Sequence, residues 1–237
     1  MGYYISLAGL LAFYLMAFPQ LKRLRNKKIT NGVFSVLIFA LYVAVVIRVY
    51  ISVGFNDWNF KNTLPVANVS PFMFTLVILM HLLPRKIKKH FYLLISLLSV
   101  GMILSSVFSC LYNGVINYKF HWHFLCDYLA HVLLSLYGVY LIKSGQVELN
   151  KKNALVSGAI IVAVAICMLV LNVIFDTAFF GLSLNGKHSI YNVVLVESSY
   201  LSALLYFLGL FGVLVMGYCY LSLILKKNKK AVYKSIN

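Results

Sequence analysis

Apolar residues fill seven long stretches of this chain, and short polar or basic connectors separate them. A helix needs about 20 apolar residues, at about 1.5 Å rise per residue, to cross the hydrocarbon core of a bilayer. The pattern therefore predicts an all-α polytopic membrane protein with seven transmembrane helices. The predicted spans are residues 2–21, 32–53, 64–83, 91–111, 124–143, 154–175 and 199–225.

The seven spans leave little of the chain outside the membrane. We expect a single seven-helix transmembrane domain over residues 1–225 and a basic cytoplasmic tail over residues 226–237. The first span follows Met1 without a basic segment and without a small-residue cleavage site. We therefore interpret it as a retained span and not as a removed signal peptide.

Composition agrees with the membrane class. Of the 237 residues, 62% are hydrophobic and 11% are charged, whereas about 25% of residues are charged in soluble proteins. The net charge of +16 would suggest a nucleic-acid partner in a soluble protein. Here the charges lie in the connectors, where they indicate topology, so we predict membrane lipids and no nucleic acid as partners. The sequence specifies no oligomeric state.

Lysine and arginine are distributed unevenly between alternate connectors. Of the 21 basic residues, 17 lie at one predicted end of the bundle, in the segments 22–28, 85–89, 143–152 and 226–234. By the positive-inside rule this end is cytoplasmic, the N-terminus is outside and the C-terminus is inside. The expected location is the cell membrane, which the chain crosses several times.

The cysteine and histidine spacings do not indicate a metal or a cofactor. The four cysteines are far apart in the sequence and form no CxxC pair, so neither a disulfide framework nor a structural metal site is predicted. His121 and His123 flank Trp122, and we interpret this cluster as an anchor at the membrane surface. No cofactor is predicted.

Asp127 and His131 are ionisable residues inside an apolar run. They are four positions apart and therefore share one face of a helix. Because charged groups are costly at membrane depth, such a pair is by default a candidate functional site. We expect His131 to act as a general base that Asp127 orients.

Other polar residues fall in the same half of the predicted bundle. Ser70 is the best-placed hydroxyl nucleophile, whereas Cys126 faces away from Asp127 and is interpreted as a small buried hydrophobe. Two interpretations stay open. The polar groups either bond to one another between helices, with Arg48 paired to a carboxylate, or line a cavity that opens to the outer leaflet or the external face. The candidate substrate-binding residues are Arg48, Asn68, Asn172, Asp176, Glu197 and Tyr200.

Several short motifs resemble those of a known family. They are Leu64-Pro65-x4-Ser70, Asp127-Tyr-Leu-Ala-His131, Tyr140-Leu-Ile-x-Ser-Gly145 and Asn172-x3-Asp176-Thr177-x-Phe179. Over the third to seventh spans they resemble the bacterial YwaF-type membrane proteins, which are similar to eukaryotic ether-phospholipid acyltransferases. The resemblance implies a helical bundle whose central cavity holds a nucleophile and a histidine that act on acyl lipids, and His131 matches the family histidine.

The chain departs from this family at the nucleophile. After Leu-Pro the family pattern carries a histidine and a cysteine, whereas residues 66–70 read Val-Ala-Asn-Val-Ser. Either Ser70 replaces the cysteine or the cavity has lost acyl-transfer chemistry and only binds. We therefore expect a lipid-acting membrane protein, similar to acyltransferases or hydrolases, or a catalytically altered relative of them.

A second resemblance supports an alternative function. The segment that begins with Pro19-Gln20 resembles the Pro-Gln loop of small solute carriers, which have seven spans. Those proteins carry a second Pro-Gln motif in the fifth span, and this chain does not. The alternative is a transporter or binding protein for a small solute or a lipid, without catalysis.

Overall fold

The computed structural model describes residues 2–24, 26–53, 69–116, 122–175 and 199–234, and every regular element in these ranges is helical. Two short 3-10 turns, Leu21–Arg23 and Met80–Leu82, follow the first and third α-helices. The α-helices are α1 (Gly2–Gln20), α2 (Lys27–Val53), α3 (Val69–Leu79), α4 (Arg85–Ile116), α5 (Trp122–Lys143), α6 (Lys151–Phe175) and α7 (Ser199–Lys234).

Six of the described helices are long and apolar enough to cross a membrane. The exception is α3, which has 11 residues and at about 1.5 Å per residue covers only about half of the ~30 Å hydrocarbon core. Residues 64–68 of the predicted third span lie outside the described residues. The prediction of an all-helical chain of several apolar helices is confirmed for the described part, and the orientation of the termini stays a prediction.

The connection from α5 to α6 is short and its ends are capped. Gly145 adopts a φ of +66°, the left-handed conformation that commonly ends a helix. The Gln146 N–H donates to the Leu141 carbonyl over 3.1 Å. The next helix begins where the Asn153 N–H donates to Asn150 Oδ1 over 2.8 Å. The chain therefore passes from the end of α5 at Lys143 to the start of α6 at Lys151 through a short connector.

Helix α5 is the most buried of the six long helices and packs most extensively against α4 and α2. Its contact with α4 depends on Gly138, where an added Cβ would lie 2.8 Å from the Ile95 carbonyl oxygen. Ser96 Oγ donates to the Gly138 carbonyl over 2.8 Å at the same place. The backbones of α4 and α5 therefore meet directly at the centre of the bundle.

Polar contacts join the helix ends that carry the basic connectors, which we call the basic end. Lys143 Nζ donates to the Phe18 carbonyl over 3.4 Å and lies 3.5 Å from the centre of the Phe18 ring. Asn31 Nδ2 donates to Gln146 Oε1 over 2.7 Å. The end of α1, the start of α2 and the end of α5 thus lie together.

Candidate functional site

Ser70 and His131 form a hydrogen-bonded pair between α3 and α5. Ser70 Oγ lies 2.8 Å from His131 Nε2. Ser70 is the second residue of α3 and is half-buried, whereas His131 is only 5% exposed. The described part of α3 therefore presents the hydroxyl to the imidazole.

The other ring nitrogen identifies the tautomer of His131. Nδ1 lies 2.8 Å from the backbone carbonyl oxygen of Asp127. A carbonyl oxygen can only accept a hydrogen bond, so Nδ1 carries the proton of the neutral ring. Nε2 is then an acceptor, and the Ser70 hydroxyl donates to it. A hydroxyl that donates to a neutral imidazole is the arrangement that general-base activation of a nucleophile requires.

The side chain of Asp127 is beside the imidazole but does not bond to it in the predicted way. Oδ1 lies 3.6 Å from Nδ1, and the carboxylate is 36% exposed. This distance exceeds that of a hydrogen bond. The sequence predicted that the carboxylate orients His131, whereas in the structure the backbone carbonyl of the same residue does so. The carboxylate contributes negative charge near the ring.

Two apolar side chains that the sequence analysis did not identify surround the pair. The Phe74 ring is perpendicular to the imidazole, at 88°, with ring centres 5.0 Å apart. Met102 Sδ lies 4.0 Å from Ser70 Oγ. Phe74 follows Ser70 by four residues and therefore lies on the same face of α3, a spacing from which this contact could have been predicted. An apolar wall strengthens the electrostatic interactions within the pair.

The remaining candidate substrate-binding residues are placed only in part. Asn172 is buried on α6. Asn68, Asp176 and Glu197 lie outside the described residues, as do the side chains of Arg48 and Tyr200. Their proximity to the Ser70–His131 pair stays a prediction.

Ser106 is a polar residue in the same half of the bundle as Ser70 and His131, and its hydrogen bonds join two helices. Ser106 Oγ on α4 donates to the Tyr128 carbonyl on α5 over 3.3 Å. It also approaches the Met102 carbonyl of its own helix at 3.4 Å. Ser106 thus joins two helices, as the bonding interpretation expects of polar residues between membrane helices.

A second serine–histidine contact lies at the basic end and was not predicted. His81 Nε2, in the turn after α3, lies 3.0 Å from Ser35 Oγ on α2. Ser35 is completely buried and His81 is exposed. Ser35 and His81 lie 46 positions apart on different elements, so no local spacing in the sequence indicated this contact.

Metal ligands do not cluster in the described part of the chain. Cys126 is half-buried and free. No group of three or more histidine, cysteine or acidic side chains converges among the described residues. Within the Ser70–His131 pair, the hydroxyl can act as a nucleophile and the imidazole as its proton acceptor.

Comparison with known proteins gives one match. A family model described as the TMEM164 family matches residues 2–223, which include both members of the serine–histidine pair. No curated protein and no solved structure gives a significant match.

Proposed function

Because the chain belongs to the TMEM164 family of transmembrane proteins, we propose that it is an integral membrane enzyme that transfers or hydrolyses the acyl groups of membrane lipids. The observation that carries this proposal is the 2.8 Å contact between Ser70 Oγ and His131 Nε2, with Nδ1 held by a backbone carbonyl. In this proposal Ser70 is the nucleophile and His131 is the general base.

The proposed reaction proceeds through an acyl-serine. Ser70 Oγ attacks the carbonyl carbon of a lipid ester while its proton passes to His131 Nε2. The tetrahedral oxyanion then collapses, the bond to the leaving alcohol breaks, and His131 returns the proton to the leaving oxygen. Attack by water on the acyl-serine completes hydrolysis, whereas attack by the hydroxyl of a second lipid completes transfer.

The surroundings of the pair support a lipid as the substrate. Ser70 lies against Met102, and His131 lies against Phe74. These walls favour an apolar substrate, and the long apolar helices favour one that enters from the bilayer. The resemblance to the YwaF-type proteins and the ether-phospholipid acyltransferases points to the same class, with Ser70 in place of the expected cysteine.

The test is lipid turnover by purified full-length protein in phosphatidylcholine vesicles that contain a lysophospholipid acceptor. Released fatty acid and newly acylated acceptor are measured by mass spectrometry. We expect turnover in the wild type, covalent labelling of Ser70 by a fluorophosphonate, and loss of both in Ser70→Ala. Ser105→Ala is the matched control, because Ser105 is an exposed serine of α4 in the same half of the bundle.

The result that contradicts the proposal is equal turnover and labelling in Ser70→Ala and the wild type. Absence of turnover in folded wild-type protein across choline, ethanolamine and glycerol phospholipids also contradicts it. In that case the transporter or binding function predicted from Pro19-Gln20 becomes the better explanation. Measurement of bound or transported lipid in the same vesicles then tests that function.

A further inference from the structure

An apolar groove opens between α6 and α7, away from the serine–histidine pair. Its volume is about 480 Å³. Leu97 of α4, which is 1% exposed, forms its floor. No residue of the groove belongs to the site around Ser70 and His131, so the inference below does not depend on the proposed reaction.

The groove exists because α6 and α7 both pack on α4 but not closely on each other. At Gly217 an added Cβ would overlap the Leu97 carbonyl oxygen, so α7 lies directly against the α4 backbone. The buried stripe of α6 includes Ser157, Ile161 and Ala165. The neighbouring face of α6 carries small residues such as Gly158 and leaves the gap open toward α7.

The dimensions of the groove match one leaflet of a bilayer. On α6 its wall runs from Lys151 to Val162, which at about 1.5 Å per residue is about 16 Å. This is about half of the ~30 Å hydrocarbon core. The groove begins at the basic end and stops near the middle of the membrane, which is the depth that one lipid acyl chain occupies.

The mouth of the groove is positively charged. Lys151 is exposed and lines the groove at its membrane-surface end, and Tyr218 is a further polar side chain in the lining. The segments at the basic end hold 17 lysines and arginines and a single acidic residue, Glu148. We propose that the groove binds one acyl chain of an anionic phospholipid, whose phosphate lies on Lys151.

The test uses full-length protein in nanodiscs of phosphatidylcholine with a minor fraction of phosphatidylglycerol that carries a photoactivatable acyl chain. The same chain on phosphatidylcholine serves as the neutral probe. After irradiation, labelled peptides are identified by mass spectrometry. We expect the anionic probe to label residues 154–162 and 211–218 more strongly than the neutral probe does.

Two pairs of variants separate this site from the general surface of the protein. Lys151→Gln is expected to lower labelling by the anionic probe about fivefold, which is the effect of one basic residue near an anionic surface. Lys152→Gln is expected to leave this labelling unchanged.

Gly158→Leu fills the groove and lowers labelling by both probes about tenfold, as the loss of about two buried methylenes does. Gly209→Leu is its control, because an added Cβ at Gly209 meets only open space.

Three results overturn the proposal. The first is equal labelling of the groove peptides by the anionic and neutral probes. The second is an equal effect of Lys151→Gln and Lys152→Gln, which indicates general attraction to the charged surface. The third is unchanged labelling in a folded Gly158→Leu protein. The exposed lysine variants keep the test decisive if Gly158→Leu does not fold.

Discussion

Each end of α3 is joined to a neighbouring helix by a serine–histidine contact, and the two contacts differ in which partner is buried. At the start of α3, Ser70 is half-buried and His131 is enclosed, with Oγ 2.8 Å from Nε2. At the basic end, Ser35 is completely buried and His81 is exposed, with Oγ 3.0 Å from Nε2. The two distances from Oγ to Nε2 are nearly equal, but the more buried partner is the histidine in the first pair and the serine in the second.

This reversal shows why distance alone does not identify a catalytic pair. A nucleophile must be reachable by the substrate, and its base must be held in one tautomer. In our proposal the Ser70 pair is the catalytic one, because Ser70 is half-buried and the Asp127 carbonyl holds His131 in one tautomer. At the basic end the hydroxyl is enclosed and the imidazole faces outward. We interpret the Ser35–His81 contact as a structural hydrogen bond between α2 and the turn after α3.

The largest expected effect is on lipid turnover when each histidine is replaced. His131→Gln should lower turnover about a thousandfold, because general-base catalysis is lost. His81→Gln should leave turnover within about twofold, since in our interpretation His81 only joins two helices. Fatty-acid release from phosphatidylcholine vesicles measures both. Equal losses of lipid turnover in the two variants would contradict the assignment of only the Ser70–His131 pair to catalysis.

A smaller effect is expected when the charge of Asp127 is removed. Asp127→Asn keeps the backbone carbonyl that orients His131, so the tautomer survives and turnover should fall only about tenfold through the lost electrostatic attraction. In serine proteases, where the carboxylate itself orients the histidine, the equivalent change costs about ten-thousandfold. The measurement is kcat in the same vesicles. A fall in kcat of about ten-thousandfold, as in the serine proteases, would show that the carboxylate, and not the carbonyl, orients the ring.

The smallest expected effect is on stability when each serine is replaced by alanine. Ser70→Ala leaves the enclosed Nε2 of His131 without a donor, which costs about 1–3 kcal/mol. Ser35→Ala costs about 1 kcal/mol or less, because Nε2 of the exposed His81 finds water instead. Thermal unfolding of the two variants in one detergent compares these costs. A larger loss in Ser35→Ala would contradict the assigned burial of the two histidines.

Much of the fold was predictable from hydropathy, but the helix boundaries were not. The second and fourth spans were expected to begin at residues 32 and 91, whereas α2 begins at Lys27 and α4 at Arg85. Likewise α7 continues to Lys234, beyond the expected end at residue 225. Apolar composition shows which segments can lie in the hydrocarbon core of a membrane. It does not show where the backbone stops being helical, since helices continue into the basic connectors.

The candidate site was predictable at the level of residues but not of atoms. Asp127 and His131 are conspicuous as ionisable residues in an apolar run, and Ser70 is a hydroxyl in the same half of the bundle. The atom that orients the imidazole is a backbone carbonyl, which every residue type possesses and no sequence pattern marks. Only the folded helix places that oxygen beside Nδ1.

Because the Asp127 carbonyl orients His131, the orientation of the imidazole depends on one turn of α5 staying helical. In an α-helix this oxygen accepts the N–H of residue 131, and here it accepts the Nδ1 proton of the same residue as well. Local opening of α5 at this turn would therefore release the amide and the imidazole together. Exchange of the residue 131 amide with deuterium is thus a direct readout of how long the ring stays aligned with Ser70, even in a preparation with no substrate.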